Sequence, residues 1–101
     1  MEAVLRAIAD PRRREILHLV RFEERSAGEI ASHFDVTRPA ISQHLSLLRE
    51  AGLLTERRDG NRRLYRTRPE GLEDVRAYIE DFWSDHLGRL KAAAEAEGRR
   101  R

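Results

Sequence analysis

The 101-residue chain contains no cysteine. This absence excludes disulfides, thiolate nucleophiles and any zinc or redox site built on cysteine. The chain also has no hydrophobic run approaching the roughly 20 residues of a membrane span. Its first residues, MEAVLRAIAD, lack the long apolar stretch of a signal peptide. We therefore expect a soluble cytoplasmic protein without a membrane partner and without a cofactor.

Features of enzymes are equally scarce in the sequence. No glycine-rich phosphate-binding loop is present, and no serine, histidine and aspartate suggest a catalytic triad. Ser42 and His44 are close in sequence, but they occupy helical positions that do not face each other. We predict that the protein is not an enzyme.

The charges are unevenly distributed along the chain, although the net charge is only +2. Residues 36–68 carry eight arginines against three acidic residues, whereas residues 69–91 carry three basic residues against six acidic ones. A basic segment favours a polyanionic partner such as nucleic acid. An ordinary solvated surface has a similar composition, so charge alone leaves both interpretations open.

Four helices are predicted before residue 53. The first covers residues 1–9, and Asp10 followed by proline is typical of the start of the second. The third opens with the capping-box spacing of Ser26 and Glu29. Thr37 caps the fourth helix, and Gly52 is placed to end it.

The apolar periodicity changes after Gly52. Two short segments flank the turn sequence DGN at 59–61, which predicts a β-hairpin. Pro69 ends the second strand, and residues 69–98 have the pattern of one long helix. We predict a single domain over residues 1–94 and a flexible tail over residues 95–101. The predicted fold is mainly α with a small β-hairpin, in the order α-α-α-α-β-β-α, which is that of a winged helix-turn-helix.

The fourth helix has two chemically different sides. Ile41, Leu45 and Leu48 form an apolar stripe with helical spacing. The side opposite this stripe carries Ser42, Gln43, Ser46 and Arg49. In a helix-turn-helix the second helix meets base edges in the major groove, so we expect these polar side chains to face DNA.

Three segments resemble the ArsR-type (arsenic-repressor-like) winged-helix regulators, and together they cover nearly the whole chain. AIADPRRREILHLV is similar to the signature of the family's second helix. SAGEIASHFDVTRPAISQHLSLLREAGLL is similar to its helix-turn-helix, and ERRDGNRRLYR is similar to its wing. The three segments occur in the order found in the family.

This resemblance implies a homodimeric transcriptional repressor that occupies a palindromic operator in double-stranded DNA. It implies recognition-helix contacts to DNA at Thr37, Arg38, Ser42, Gln43 and His44, to which the outward position of Ser46 adds a sixth. It implies wing contacts at Arg57, Arg58, Asn61, Arg62 and Arg63. It also implies a dimer interface formed by the first and last helices, which places there Val4, Leu5, Ile8, Leu72, Val75, Ile79, Phe82, Trp83 and Leu90.

Many members of this family sense metal ions, and their ligands are missing from this chain. One family site uses a cysteine pair before the turn, where this chain has ERSAGEI. Another uses carboxylates and histidines along the last helix, where this chain has Asp85 and His86 but no second histidine. Zinc sites need about four ligands. We therefore predict no metal site, place the chain in the metal-ligand-free subset, and leave its effector unknown.

Several residues have two interpretations. His44 lies at the edge of the apolar stripe, so it either reads bases or bonds within the fold. The four wing arginines either form a solvated hairpin or contact phosphates or the minor groove, because without a partner they repel one another. Glu56 and Asp59 offset part of this repulsion.

The aromatic residues of the last helix and the function itself have alternatives as well. Tyr78, Phe82 and Trp83 either line a ligand pocket or pack in a core or dimer interface, and helical spacing favours packing. Tyr65 is expected in the core. The alternatives to a plain repressor are a ligand- or metal-gated sensor of the same fold and a protein-interaction module that does not bind DNA.

Overall fold

The computed structural model describes residues 1–100. Its helices are α1 (Glu2–Ala9), α2 (Pro11–Leu19), α3 (Ala27–Ala31), α4 (Arg38–Glu50) and α5 (Glu73–Arg100). Its strands are β1 (Arg25–Ser26), β2 (Leu54–Asp59) and β3 (Arg62–Thr67), and a 3₁₀ turn, Pro69–Leu72, leads into α5. The predicted mainly helical winged helix-turn-helix is confirmed.

Side chains define the beginnings of three helices, as the sequence predicts. The Asp10 carboxylate accepts hydrogen bonds from two backbone N–H groups in the first turn of α2, at 2.8 and 3.3 Å. Ser26 and Glu29 form a reciprocal capping box on α3. The Thr37 hydroxyl accepts a bond of 3.3 Å from the first turn of α4. These bonds satisfy amide donors that a helix start leaves without partners.

A glycine in the left-handed region ends α4. Gly52 has φ +79°, and its N–H donates to the carbonyl of Arg49 at 2.9 Å. The next N–H, that of Leu53, donates to the carbonyl of Leu48 at 2.9 Å. This pair of bonds is a Schellman motif, which reverses the chain direction and satisfies two carbonyls at the helix end. It directs the chain from α4 into β2.

The predicted hairpin is formed by β2 and β3, which pair antiparallel through a two-residue turn. Asp59 pairs with Arg62, so that Gly60 and Asn61 are the central residues of the turn. Gly60 has φ +64°. Glycine at the first central position is typical of type II′ turns, whose twist matches that of the strands.

The structure adds a third strand, β1, that the sequence analysis did not predict. Arg25 pairs with Tyr65 and Ser26 pairs with Leu64, so the sheet order is β1-β3-β2. Two residues are too few for an alternating apolar pattern. This segment becomes a strand because the fold brings it to the free edge of β3.

The hydrophobic core is centred on α4. Ile41, Leu45 and Leu48 are 0, 2 and 0% exposed, which confirms the predicted stripe. They join a cluster of buried side chains from α2, α3 and the strands that includes Ile16, Val20, Ile30, Leu53 and Tyr65. Burial of each large aliphatic side chain contributes roughly 1.5–3 kcal/mol relative to exposure.

Two residues predicted at the dimer interface are already buried in the core of the single chain. Val4 and Val75 are each 8% exposed in the single chain, because α1 and the start of α5 pack against the helix-turn-helix. Ile8 and Leu72 are partly buried against the same cluster. The predicted interface residues that remain at the surface are Leu5, Ile79, Phe82, Trp83 and Leu90.

Most of α5 extends away from the rest of the chain. Every residue from 76 to 100 is exposed, and the longest dimension is 69 Å. The helix continues through residues 95–100 without a break at residue 94, so the predicted domain boundary and flexible tail stay predictions; Arg101 lies outside the described residues. Among residues 1–100, no helix combines the length and apolarity needed to cross a membrane.

We expect Gly71→Ala to destabilise the fold, because a Cβ there would lie 2.2 Å from the carbonyl oxygen of Gly52. Relieving this clash requires a backbone shift at the end of α4, at a cost of about 1–3 kcal/mol. Urea unfolding at fixed protein concentration measures the loss. Gly88→Ala is the matched control: a Cβ there meets nothing within 4 Å, and alanine favours the helix by roughly 0.5–1 kcal/mol. Equal stability of Gly71→Ala and wild type would contradict the expected clash.

Candidate nucleic-acid interface

The face of α4 opposite the core is polar and open to solvent. Ser42, Gln43 and Ser46 are exposed, as the helical spacing predicts. Thr37 and Arg38, at the N-terminal end of the helix, are exposed as well. The structure therefore brings five predicted recognition residues to one surface, while their contact with DNA stays a prediction.

A leucine extends this surface and was missed in the sequence analysis. Leu47 is outside the buried stripe and 47% exposed, and it shares a shallow groove with Ser42, Gln43 and Ser46. The signal was present in the sequence, because Leu47 is the one leucine of SLL that does not fit the 41, 45, 48 spacing. An apolar side chain here is suited to contact the methyl group of thymine.

Arg38 connects α4 to the wing, the hairpin formed by β2 and β3. It lines a groove of about 480 Å³ together with Ser42, Asn61, Arg62 and Arg63. Its guanidinium lies over Gly28, where an added Cβ would be 3.4 Å from Nη1. The groove therefore places polar and cationic groups from α4 and the wing around one space.

Three of the four wing arginines have carboxylate partners. Arg57 binds both oxygens of Glu24, at 2.8 and 3.0 Å. Arg62 lies 3.5 Å from Glu29 and 3.4 Å from Asp59. The ion pair with Asp59 agrees with the sequence, and the pairs with Glu24 and Glu29 reduce the repulsion among the arginines further.

Arg63 and Arg58 complete the set of wing arginines. Arg63 lies 3.2 Å from Glu56. Arg58 is exposed, and no carboxylate of residues 1–100 lies within 4.0 Å of it. It is therefore the wing arginine whose charge is least neutralised by the protein itself.

Glu56 joins the wing to the end of α4. Its side chain is mostly buried and also accepts a 2.6 Å hydrogen bond from Arg49, which raises the pKa of that guanidinium. Burial raises the pKa of the neighbouring Tyr65, and the Glu56 charge raises it further. One carboxylate thus bridges Arg49 on α4 and Arg63 on β3, and so connects the wing to α4.

His44 differs from the other predicted recognition residues. It is half-buried, and its Nδ1 lies 3.3 Å from Nη1 of Arg13, which belongs to α2. The two residues are 31 positions apart in sequence, so no local pattern indicates this contact. The structure turns one ring nitrogen of His44 toward the protein.

The exposed side of α5 forms a second surface with different chemistry. Ile79, Trp83 and Leu87 line an apolar groove of about 540 Å³ with Leu72 and Val75. The Tyr78 and Phe82 rings beside it meet edge to face, with centroids 5.2 Å apart. Within residues 1–100, no group of three or more histidine, aspartate or glutamate side chains is placed to hold a metal ion.

Comparison with known proteins agrees with this geometry. The sequence profile described as bacterial regulatory protein, arsR family, matches residues 10–56. An HTH-type transcriptional regulator of Mycobacterium tuberculosis is 37% identical over 92 residues, which are 91% of this chain and 86% of that protein. The transcriptional repressor SdpR of Bacillus subtilis is 39% identical over 82 residues, which are 81% of this chain and 91% of that protein.

Solved structures give the same result. The crystal structure of a possible transcriptional regulator for arsenical resistance has a TM-score of 0.71 and 46% identity, over 87% of this chain and 92% of that one. A homodimeric winged helix-turn-helix DNA-binding domain from Mycobacterium bovis, a possible ArsR-family transcriptional regulator, has a TM-score of 0.65 and 31% identity. The superposed region covers 87% of this chain and 82% of the Mycobacterium bovis chain.

Proposed function

The chain belongs to the arsR family of bacterial regulatory proteins, and from this premise we propose that it is a homodimeric repressor that occupies a palindromic operator. Proteins of this family are DNA-binding transcriptional regulators rather than enzymes, which agrees with the lack of catalytic features in the sequence. The proposal concerns its dimeric state, its DNA contacts and the way in which it represses.

The observation that carries this proposal is the division of α4 into a buried side and a polar exposed side beside a basic hairpin. A helix is about 10–12 Å wide with its side chains, and the major groove is about 12 Å wide. With Ile41, Leu45 and Leu48 held in the core, α4 presents its polar side to the groove. A protein-interaction module would instead present an apolar face at this position.

The exposed residues have different roles according to their chemistry. Arg38 and Gln43 have the side chains that pair bidentately with guanine and adenine edges. Thr37, Ser42 and Ser46 have hydroxyl groups suited to phosphates, which position the protein without reading sequence. The wing residues Arg57, Arg58, Asn61, Arg62 and Arg63 lie beside the helix and are suited to the flanking backbone or the minor groove.

The dimer is supported by the apolar side chains of α5. Large apolar residues recur along its exposed part, and Trp83 is 57% exposed. Contiguous exposed apolar surface of this kind marks an association site. The related Mycobacterium bovis domain is homodimeric. We propose that α5, together with Leu5 and Ile8 of α1, packs against the same elements of a second copy.

A two-fold symmetric dimer has a direct consequence for its operator. Its two α4 helices would meet half-sites about 10 bp apart, or a multiple of that distance. Bound at a promoter, the dimer would occlude polymerase, in keeping with the related repressor SdpR. This role places the protein with the chromosome in the cytoplasm. Its effector is unknown.

The proposal as a whole is tested by fluorescence anisotropy at several salt concentrations. Duplex DNA from upstream of the protein's own gene is compared with a scrambled duplex, and an operator is selected in parallel from a random-sequence duplex pool. We expect the selected operator to bind at least about a thousandfold more tightly than the scramble. Failure of the pool to yield any preferred sequence would contradict sequence-specific binding.

Arg38→Ala and Gln43→Ala should each weaken binding to the selected operator by about 1–3 kcal/mol and relax base preference at one position of each half-site. The reason is the loss of a bidentate contact to a base edge. Anisotropy with operators substituted one base pair at a time measures both effects. Glu50→Ala, an exposed change at the far end of α4, is the control. Unchanged base preference in both variants would show that these residues do not read bases.

Arg58→Ala should weaken binding to every duplex alike and reduce the salt slope by about 0.9, the value for one lost phosphate contact. Arg57→Ala should have a smaller effect, since Glu24 already neutralises Arg57. Arg99→Ala, at the distant end of α5, is the charge-matched control. Equal slopes for wild type and Arg58→Ala would remove Arg58 from the interface.

Trp83→Glu should convert the dimer to a monomer and weaken operator binding, because it places a charge within the apolar groove of α5. Ala92→Glu adds the same charge nine residues later, about 180° around the helix, and should leave the dimer intact. Sedimentation at micromolar protein concentration measures both. A wild-type protein that sediments only as a monomer would contradict the proposed interface.

A further inference from the structure

His44 and Arg13 form a contact that the proposed function does not use. The resemblance to the family implies that His44 contacts DNA, whereas the structure directs its Nδ1 to Arg13. We infer that His44 is a positioning residue, which receives a hydrogen bond from Arg13 and thereby fixes α4 relative to the C-terminal end of α1. This inference rests on the proposed DNA binding by α4.

Arg13 is held by several acceptors at once. Its Nε donates to the carbonyl of Ala7 at 2.7 Å, and its Nη2 donates to the carbonyl of Arg6 at 3.0 Å. Its Nη1 faces His44 at 3.3 Å and lies 3.8 Å from the Asp10 carboxylate. The Arg13 side chain is 15% exposed. A guanidinium with each of its nitrogens engaged has little freedom to move, so the position of Nη1 is well defined.

Arg14 completes the cap on α1. Its Nη1 donates to the carbonyls of Ile8 and Ala9, at 2.7 and 3.2 Å. The last four carbonyls of a helix have no partner within the helix. In α1 these are the carbonyls of residues 6–9, and two consecutive arginines of α2 bind all four. Positive charge also suits the negative end of the α1 dipole. Of the two arginines, only Arg13 also contacts α4, through His44.

The chemistry of the contact fixes the form of His44. A guanidinium has donors and no acceptor, and it stays protonated in proteins. Nδ1 of His44 is therefore the acceptor in this contact, which requires the tautomer with the proton on Nε2. The Asp10 carboxylate, on the other side of Arg13, receives backbone N–H bonds as the cap of α2. His44 thus completes a chain of polar contacts that runs from α1 through the start of α2 to α4.

The contact has a consequence for the operator. The proposed dimer interface includes α1, so anything that fixes α4 relative to α1 also fixes the distance and angle between the two recognition helices. A base-reading residue affects discrimination at one base pair. A positioning residue affects binding to the whole operator and leaves the preferred base at each position unchanged. This difference separates the two roles of His44.

His44→Asn and His44→Gln form a matched pair for the test. The asparagine amide ends at about the distance of Nδ1 from the backbone, whereas the glutamine amide reaches the distance of Nε2. We expect His44→Asn to bind the selected operator within about threefold of wild type and His44→Gln to lose at least about tenfold. The reverse order would mean that Nε2 contacts DNA, and equal affinities in the two variants would mean that the Nδ1 contact has no role. Either result overturns the inference.

A double-mutant cycle tests the partner directly. Arg13→Ala and Arg14→Ala both uncap α1, so a loss caused only by the cap should be the same in both. We expect Arg13→Ala to weaken operator binding at least about fivefold more than Arg14→Ala, and to have no larger effect than Arg14→Ala in the His44→Ala background, where only the cap is lost. Additive losses in that background would overturn the inference.

Two further measurements separate this inference from its premise. Thermal unfolding of each variant confirms that the compared proteins are folded. Operators substituted one base pair at a time report whether His44→Ala changes the preferred base at any position, which a positioning role would leave unchanged. If wild-type protein binds no duplex, the proposed function fails; if wild type binds and the asparagine and glutamine variants do not separate, only the role of His44 fails.

Discussion

Burial of one side of α4 is the constraint on which the interface depends. Ile41, Leu45 and Leu48 fill the centre of the core, and helical geometry then exposes the residues between them. The same packing positions Gly52, whose Schellman motif turns the chain into β2. The wing therefore begins at a fixed point relative to the recognition helix. Both elements reach one surface because the apolar stripe of α4 is buried in the core beneath them.

The positive charge of this surface is smaller than its number of arginines indicates. Carboxylates from three parts of the chain neutralise much of the wing: Glu24 in the segment before β1, Glu29 on α3 and Glu56 on β2. The exposed pair of Arg62 and Glu29 contributes little to stability, so a phosphate can replace that carboxylate at low cost. Glu24 instead holds Arg57 through two hydrogen bonds, and Glu56 is mostly buried. Before DNA binds, the ion pairs limit the positions that the arginine side chains adopt. The wing is thus better ordered, and less strongly positive, than the charge of residues 36–68 suggests.

The core is small because most of the long last helix is exposed in the single chain. A chain of about 100 residues buries a limited share of its surface, and most of α5 contributes nothing to that burial as a single chain. A second copy would cover the apolar groove between Leu72 and Leu87 and would make α5 part of a core. The arginine cap on α1 then gains importance, because Arg13 connects an element of the proposed interface with His44 on α4.

The sequence by itself determined the helices and the starts of α2, α3 and α4, because caps and apolar stripes join residues only three or four positions apart. Asp10, Ser26 and Thr37 act as predicted, and so does the hairpin turn at Gly60. Tertiary structure alone decided that Glu24 and Glu29 meet wing arginines, how β1 pairs, that Val75 is buried and where Nδ1 of His44 points. The two carboxylates lie 33 positions from their arginines and Arg13 lies 31 from His44. β1 pairs with the distant β3, and the burial of Val75 depends on which side of a helix meets the core, so no local spacing records these contacts.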